Sequence, residues 1–241
     1  MLREIERMLR VAGSMGQLQR SSLEVERKPD GTLVSHVDRD IEGYLRGEIE
    51  RIEPEAGIWG EEEGLTGSLE ASGWLLDPID GTSNYVFGSP LWGVSIARME
   101  GGKLVQGGVF LPDLDELYLG EAGAGATLNG NPLAEIAPGP IEPYHLVSYD
   151  KSAIGRLGAI PGKQRYGGAF VIDGAWLLTG RLRGMVAGGE CLYDAAAIIV
   201  MAREVGLQTV LASGEAFNEL QFAHGKRIDR DWLLFPKGAG L

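Results

Sequence analysis

Asp77 and Asp80 flank Pro78 and Ile79 in the stretch WLLDPIDGTSNY, residues 74–85, directly after the apolar run Trp74-Leu75-Leu76. Like charges this close are unfavourable unless a cation lies between them. Oxygen-only donors suit a hard cation such as Mg²⁺, which commonly bridges carboxylates and a substrate phosphate. Pro78 removes a backbone donor where the strand is expected to end. Gly81 permits tight backbone, and Thr82-Ser83-Asn84 can begin a helix whose free N–H groups favour an anion. One short segment thus offers cation ligands together with an anion-binding helix start, the combination that metal-assisted phosphate chemistry requires.

Further acids close apolar runs or open helices: Asp38, Glu61 beside Glu62, and Asp194. Each alone reads more simply as a helix cap or a solvated turn. As a cluster they set a sign. At ~4 Å and an effective dielectric of about 20, two unit charges interact by roughly 4 kcal/mol. Such a cluster repels a phosphate dianion, whereas two or more divalent ions attract it, polarise its oxygens and lower the pKa of a bound water. Metal dependence follows if the substrate is a phosphate. IDGT, 79–82, also resembles the end of the D-x-D-G-T signature of haloacid-dehalogenase phosphatases, in which an aspartate is the nucleophile. That signature has one residue between its acids and lies near the N-terminus. Here two intervene, and a helix and several strands come first.

These acids need elements to position them. Leu2, Ile5, Leu9, Ala12 and Met15 predict an amphipathic helix over 2–19. Pro29-Asp30-Gly31 predicts a turn into a short strand, Thr32 to Val37, and helical spacing returns from Asp38. GIWGEE and GWLLD read as strands ending in acid. LWGVSIARM and KLVQGGVFLP flank the turn EGG, and DELYLGEAG is a third candidate strand. Asn129-Gly130 is a tight-turn signal. EIAPGPIEP, 135–143, is the best candidate boundary. It divides the chain into an N-terminal α+β metal-binding half, 1–136, and a C-terminal α/β half, 137–241, that completes the site. There YHLVSY, LRGMVAG and LQTVLA predict strands, and 169–179 and 193–205 predict helices ended by Gly180 and Gly206. The expected fold is α+β to α/β, an antiparallel first sheet layered against an alternating second half.

With 241 residues, 44% hydrophobic and 23% charged, the chain can bury a substantial core. A net charge of −12 argues against a general nucleic-acid-binding surface. Its apolar runs are too short to span a bilayer, and MLREIERMLR lacks a signal-peptide core, so a cytoplasmic location is the simplest reading. The single cysteine, Cys191, excludes an internal disulfide and a cysteine zinc cluster within the chain. With no positive partner visible nearby it is a poor nucleophile. His36, His145 and His224 have no metal-ligand spacing, although His36 lies close enough to Asp38 to support it. Arg156, Lys163 and Arg165 read as a solvated face, with Arg165 the candidate to hold an anionic substrate. Trp74, Trp92 and Trp176 read as core.

The motifs also match a known pattern. GEE at 60–62, DPIDGTSNY at 77–85 and LYDAAA at 192–197 resemble the three signatures of the inositol monophosphatase family, lithium-sensitive, Mg²⁺-dependent phosphomonoesterases. KPDGTLVSHVDRDIE, 28–42, is similar to that family's N-terminal block, and the matches run in order from about residue 28 to 211. The resemblance implies a layered αβαβα sandwich with the site between its halves and two to three Mg²⁺ ions. It assigns Glu61, Asp77 and the Ile79 carbonyl to the first ion. Asp77, bridging, with Asp80 and Asp194 would hold the second, and a weaker third would sit near Glu61. The implied catalytic set is Asp38, Thr82 and Glu61, with Thr82, hydrogen-bonded to Asp38, orienting the attacking water. The N–H groups of Gly81 and Thr82 would receive the phosphate. Asp80, Asp194, Gly168, Ala169, Phe170 and Ala187 complete the expected substrate-binding positions.

Here the chain departs from the family pattern. Ala187 stands seven residues before Asp194, where inositol-specific members carry a glutamate. Phe170 is bulkier than the family's usual residue, Tyr193 replaces the usual Trp, and the chain stops soon after WLLFPKG. The catalytic set is whole, but the specificity set is not that of an inositol enzyme. The expected partner is a small phosphorylated metabolite: an inositol monophosphate, fructose 1,6-bisphosphate or another sugar phosphate, or 3′-phosphoadenosine 5′-phosphate. No nucleic-acid or membrane partner is expected, and the family implies a homodimer. The alternative is a non-catalytic regulatory or binding protein on the same scaffold. Against it stands the presence of Glu61, Asp77, Asp80, Thr82 and Asp194.

Overall fold

The first helix, α1 (Leu2–Gln19), forms where apolar residues recur at helical spacing, and it buries Ile5, Met8, Leu9 and Ala12. The structure, a computed structural model, describes residues 1–29, 31–150, 153, 155, 160–223 and 227–239. Asp30, Arg156 and His224 lie outside these. A ribbon of β1 (Val25–Arg27) and β2 (Leu33–Ser35) leads into α2 (His36–Ile52). This helix starts two residues before the expected Asp38, and the strand is correspondingly shorter. A capping box sets the start: Ser35 is the N-cap, and its N–H and hydroxyl donate to Asp38 Oδ2 at 2.8 and 2.6 Å.

The first sheet contains β3 (Gly57–Gly60), β4 (Gly64–Thr66), β5 (Ser72–Asp80), β6 (Gly93–Glu100), β7 (Lys103–Leu111), β8 (Glu116–Glu121), β9 (Gly125–Leu128) and β10 (Asn131–Pro132). Among the described residues its order is β10-β9-β8-β7-β6-β5-β3-β4, antiparallel except for the β3–β5 pair. Asn129 and Gly130, at φ 49° and 78°, make the two-residue turn between β9 and β10. The strand β5 does not end at Pro78. It continues to Asp80 with a register shift against β6 between Asp77 and Asp80, so Pro78 falls where the ladder is already interrupted. A short helix, α3 (Thr82–Val86), follows directly.

A coil over 133–145 passes to the second sheet, built from β11 (Leu146–Tyr149), β12 (Lys163–Arg165), β13 (Gly184–Ala187), β14 (Leu207–Leu211) and β15 (Trp232–Pro236). Its order among the described residues is β12-β11-β13-β15-β14. The first three are parallel, and β15 runs antiparallel to both of its neighbours. Among the described residues the α-helices of this half are α4 (Phe170–Leu178), α5 (Leu192–Glu204) and the short α6 (Glu219–Phe222).

The layers follow from which faces are apolar. Helices α1 and α2 cover one face of the first sheet, and Trp74, Trp92, Ile41 and Leu45 fill that core. On the other face α4 and α5 separate the two sheets, in a core that includes Leu75, Val109, Ile198, Ile199 and Trp232. Helix α5 rests directly on β7, because a Cβ at Gly107 would lie 2.7 Å from Ala197 Cα. The remaining face of the second sheet packs against Ile141, Ala153 and Ile160. The result is a layered α/β sandwich. No described helix is long and apolar enough to cross a membrane.

Candidate active site

Strand ends and helix starts from both halves meet at one cavity of about 250 Å³. Glu61 follows β3, Asp77, Ile79 and Asp80 come from the bulged end of β5, and Gly81 and Thr82 open α3. Gly168, Ala169 and Phe170 precede or start α4, and Asp194 lies in the first turn of α5; all of these line the cavity. Asp38 is wholly buried behind it. The Thr82 hydroxyl is shared between Asp38 Oδ1 at 3.4 Å and the Ile79 carbonyl at 3.1 Å.

Local sequence explains this convergence. Gly81 is the N-cap of α3 at φ 84°, where a Cβ would lie 2.7 Å from Ala169 Cβ and 3.0 Å from the Leu91 carbonyl. Only glycine meets both demands. Asn84 Nδ2 donates to the Leu91 carbonyl at 2.7 Å and to the Gly167 carbonyl at 2.9 Å, tying α3 to the segment before α4. The Val171 N–H, at the start of α4, donates to Asp80 Oδ2. Asp194 accepts the Cys191 N–H at 2.7 Å in a second capping box. Cys191 is therefore a buried helix cap, and burial pushes its thiol up.

Charge within the cavity is unbalanced. Burial, then the charge of Glu61, holds the Asp77 and Asp194 carboxyls well above the ordinary range. Burial likewise pushes Asp80 up to about 7, against the pull of the Val171 N–H. Asp77 Oδ1 is buried with no hydrogen-bond partner among the described residues. A buried carboxylate oxygen without a donor is costly, and a divalent cation is the partner this all-oxygen set suits. By donor chemistry Glu61, Asp77, the Ile79 carbonyl, Asp80 and Asp194 fit such an ion. Among the described residues no three such side chains are gathered closely enough to hold one as they stand. One cation does sit on Glu61.

That cation is Lys28. Its Nζ lies 2.9 Å from Glu61 and 2.7 Å from Glu62. Burial lowers its pKa, but the charge of Glu61 and the hydrogen bonds to both acids outweigh burial and hold it above the usual lysine value. Burial raises Glu62 to about 7 despite the same contact. The sequence reading missed Lys28, although it opens the KPDG block and its charge opposite GEE was a usable signal.

Other expectations need correction. Ala187 does not line the cavity. It pairs with Trp232 across β13 and β15 and is fully buried in the core between the sheets. The glutamate that reaches the cavity is Glu190, three residues on, joined by Asp150, Tyr166 and Asp173. Arg165 lies exposed on β12, bonded to the neighbouring Gln164 carbonyl, and does not line the cavity. His36 and His145 each accept a backbone N–H at Nδ1, from Glu24 and Glu142.

The chain is similar to known proteins over nearly all of its length. The profile of the inositol monophosphatase family matches residues 5–231. An inositol-1-monophosphatase of Mesorhizobium japonicum is 32% identical over 204 residues, 79% of this chain and 76% of that one. A histidinol-phosphatase of Chlorobaculum parvum is 38% identical over 135 residues, 54% of this chain and 52% of that one. The crystal structure of the extragenic suppressor protein SuhB from Bartonella henselae superposes with a TM-score of 0.84 at 25% identity, covering 97% of this chain and 93% of that one. Fold and site together define a phosphatase of the layered-sandwich class. The chain belongs to the inositol monophosphatase family.

Proposed function

We propose that the chain is a Mg²⁺-dependent phosphomonoesterase that hydrolyses a small phosphorylated metabolite with water. The observation that carries this reading is the buried Asp77 Oδ1, without a hydrogen-bond partner among the described residues, in a cavity that Glu61, Asp80 and Asp194 also line. Glu61, Asp77, the Ile79 carbonyl, Asp80 and Asp194 would hold two to three divalent ions, which supply charge neutralisation and an activated water when bound. The N–H groups of Gly81 and Thr82, at the helix start, receive the phosphate. The Thr82 hydroxyl, held by Asp38, orients the attacking water. Lys28, on Glu61 and Glu62, would have to release Glu61 for that carboxylate to serve as an ion ligand.

The named relatives widen the candidate substrates to inositol monophosphates, sugar phosphates and histidinol phosphate. Lithium sensitivity, a homodimer and a cytoplasmic location belong to the same reading. The test is phosphate release from a panel of phosphomonoesters with Mg²⁺, with EDTA, and with Mg²⁺ plus lithium. Release that needs Mg²⁺ and is inhibited by lithium supports the reading. Absence of release from every ester, with metal bound by calorimetry, supports the non-catalytic alternative.

A further inference from the structure

The turn that carries Glu61 is held from behind by a glutamate that the proposed reaction does not use. Glu61, Glu62 and Glu63 form the turn between β3 and β4. The Glu61 N–H donates to the Leu76 carbonyl at 3.2 Å, beside Asp77 on β5. The next two N–H groups go to one side chain of α2. Glu42 Oε2 accepts from Glu62 at 2.8 Å, and its Oε1 accepts from Glu63 at 3.0 Å. Glu42 stands one helical turn beyond Asp38 and is wholly buried. A Cβ at Gly60 would lie 2.1 Å from its Oε1, so the carboxylate rests against the backbone where β3 ends.

Charge balance alone argues against an acid at this position. Three consecutive glutamates already crowd the turn, and a fourth carboxylate behind them adds to the repulsion. Arg46 meets it: Nε donates to Glu42 Oε1 at 2.9 Å, Nη2 to the Gly64 carbonyl at 2.5 Å and Nη1 to the Thr66 hydroxyl at 3.2 Å. A buried ion pair adds little net stability, because desolvation offsets the attraction. What this pair supplies is direction. A carboxylate that accepts two successive backbone N–H groups makes stronger bonds than a neutral acceptor, and Arg46 fixes the far side of the same turn at Gly64. Packing alone would be served by an apolar residue, as it is at Ile41 and Leu45 on the same helix.

We propose that Glu42 is a positioning residue for the divalent ion: by gripping the N–H groups of Glu62 and Glu63 it holds Glu61 at the cavity and sets the affinity for Mg²⁺, with no part in the chemical step. This inference rests on the assignment of Glu61 as an ion ligand and adds a residue to that reading. A turn fixed from behind keeps Glu61 in place when Lys28 releases it.

The experiment titrates the full-length protein with Mg²⁺ by calorimetry and follows phosphate release from the fastest ester of the panel as Mg²⁺ is raised. In Glu42→Gln the amide can accept one of the two N–H groups but sets its own NH₂ against the other. Mg²⁺ binding is expected to weaken about tenfold or more, and the Mg²⁺ concentration for half-maximal release to rise in proportion. At saturating Mg²⁺, kcat is expected to stay within about threefold. The double variant Glu42→Gln/Arg46→Met removes both buried charges at similar volume, so its Tm is expected to recover while the Mg²⁺ affinity stays low. It also carries the test if the single variant does not fold. Unchanged Mg²⁺ affinity in Glu42→Gln, or affinity that returns together with Tm in the double variant, overturns the inference and leaves the phosphatase reading standing. No Mg²⁺ binding by the unaltered protein overturns both.

Discussion

Asp77 is where the residue-scale argument concentrates. Its position between Leu76 and Pro78 made it legible, because an acid at the end of an apolar strand has few reasons to be buried other than a cation. The structure adds that one of its oxygens has no partner among the described residues and that burial and neighbouring charge hold its carboxyl up. Asp77→Asn removes the charge at nearly constant volume. Turnover is expected to fall at least about a thousandfold, since several kcal/mol of transition-state charge stabilisation are at stake. Circular dichroism should remain native, and the rise in Tm on adding Mg²⁺ should disappear. Near-wild-type turnover would falsify the ligand assignment. Ala187 was legible only as a gap in the family pattern, and it misled. Its methyl faces the core, so Ala187→Glu buries an unpaired carboxylate. The expected outcome is a loss of about 3 kcal/mol or more in denaturant unfolding, not a new substrate preference.

At the scale of elements, caps and turns decide where the acids point. Asp38 and Asp194 each sit at the third position of a helix and close a capping box, with Ser35 and with Cys191. The plain reading of these acids as helix caps holds, and it is compatible with the proposed site role: Asp38 caps its helix through Oδ2 and meets the Thr82 hydroxyl through Oδ1. Periodicity could not show this: it placed the start of α2 at Asp38 because Val37, which opens the helix's buried stripe, also fits the end of the preceding strand. Gly81 is the stricter joint. Gly81→Ala would force a non-glycine residue to φ 84° and drive its Cβ into Ala169 and the Leu91 carbonyl. A stability loss of about 2 kcal/mol is expected from strain at such a position. Phosphate release is expected to drop about a hundredfold, because an error of about 1 Å at the helix start misplaces the phosphate. Unchanged kcat/KM in a folded Gly81→Ala protein would show that α3 does not receive the phosphate.

For the molecule as a whole, the cavity gathers carboxylates whose burial disfavours their charged form. Asp80 titrates near 7 in the folded protein against 3.8 ordinarily, Glu190 and Glu62 are also raised to about 7, and Asp77 and Asp194 lie well above their ordinary value. Between the ordinary values and about 7 the folded state binds more protons than the unfolded one, so stability falls as pH rises through that window. The metal-free protein is therefore expected to melt at least a few °C lower at pH 8 than at pH 5.5. Saturating Mg²⁺ should remove most of that difference by binding the folded state alone. A metal-free Tm as high at pH 8 as at pH 5.5 would mean that the carboxylates are satisfied without a cation. At the acid end the sign reverses for Glu53, whose carboxyl Arg98 holds down at about 2. Its contribution is lost as pH falls below the ordinary glutamate value.

The amino-acid sequence by itself made legible the acids that meet at one cavity, the glycine that joins them to a helix start, the order of the elements and the layered class, because each rests on local chemistry or on a period of two or 3.6 residues. Four short motifs were enough to place those acids in one family. Tertiary structure alone decided the rest. Whether Ala187 faces the core or the cavity depends on which side of β13 packs on the helices. Pairing of Lys28 with Glu61, and of Glu190 with Trp232, joins residues far apart in the chain. Local spacing carries no record of such contacts, since they arise only when two sheets and the helices between them close on one another.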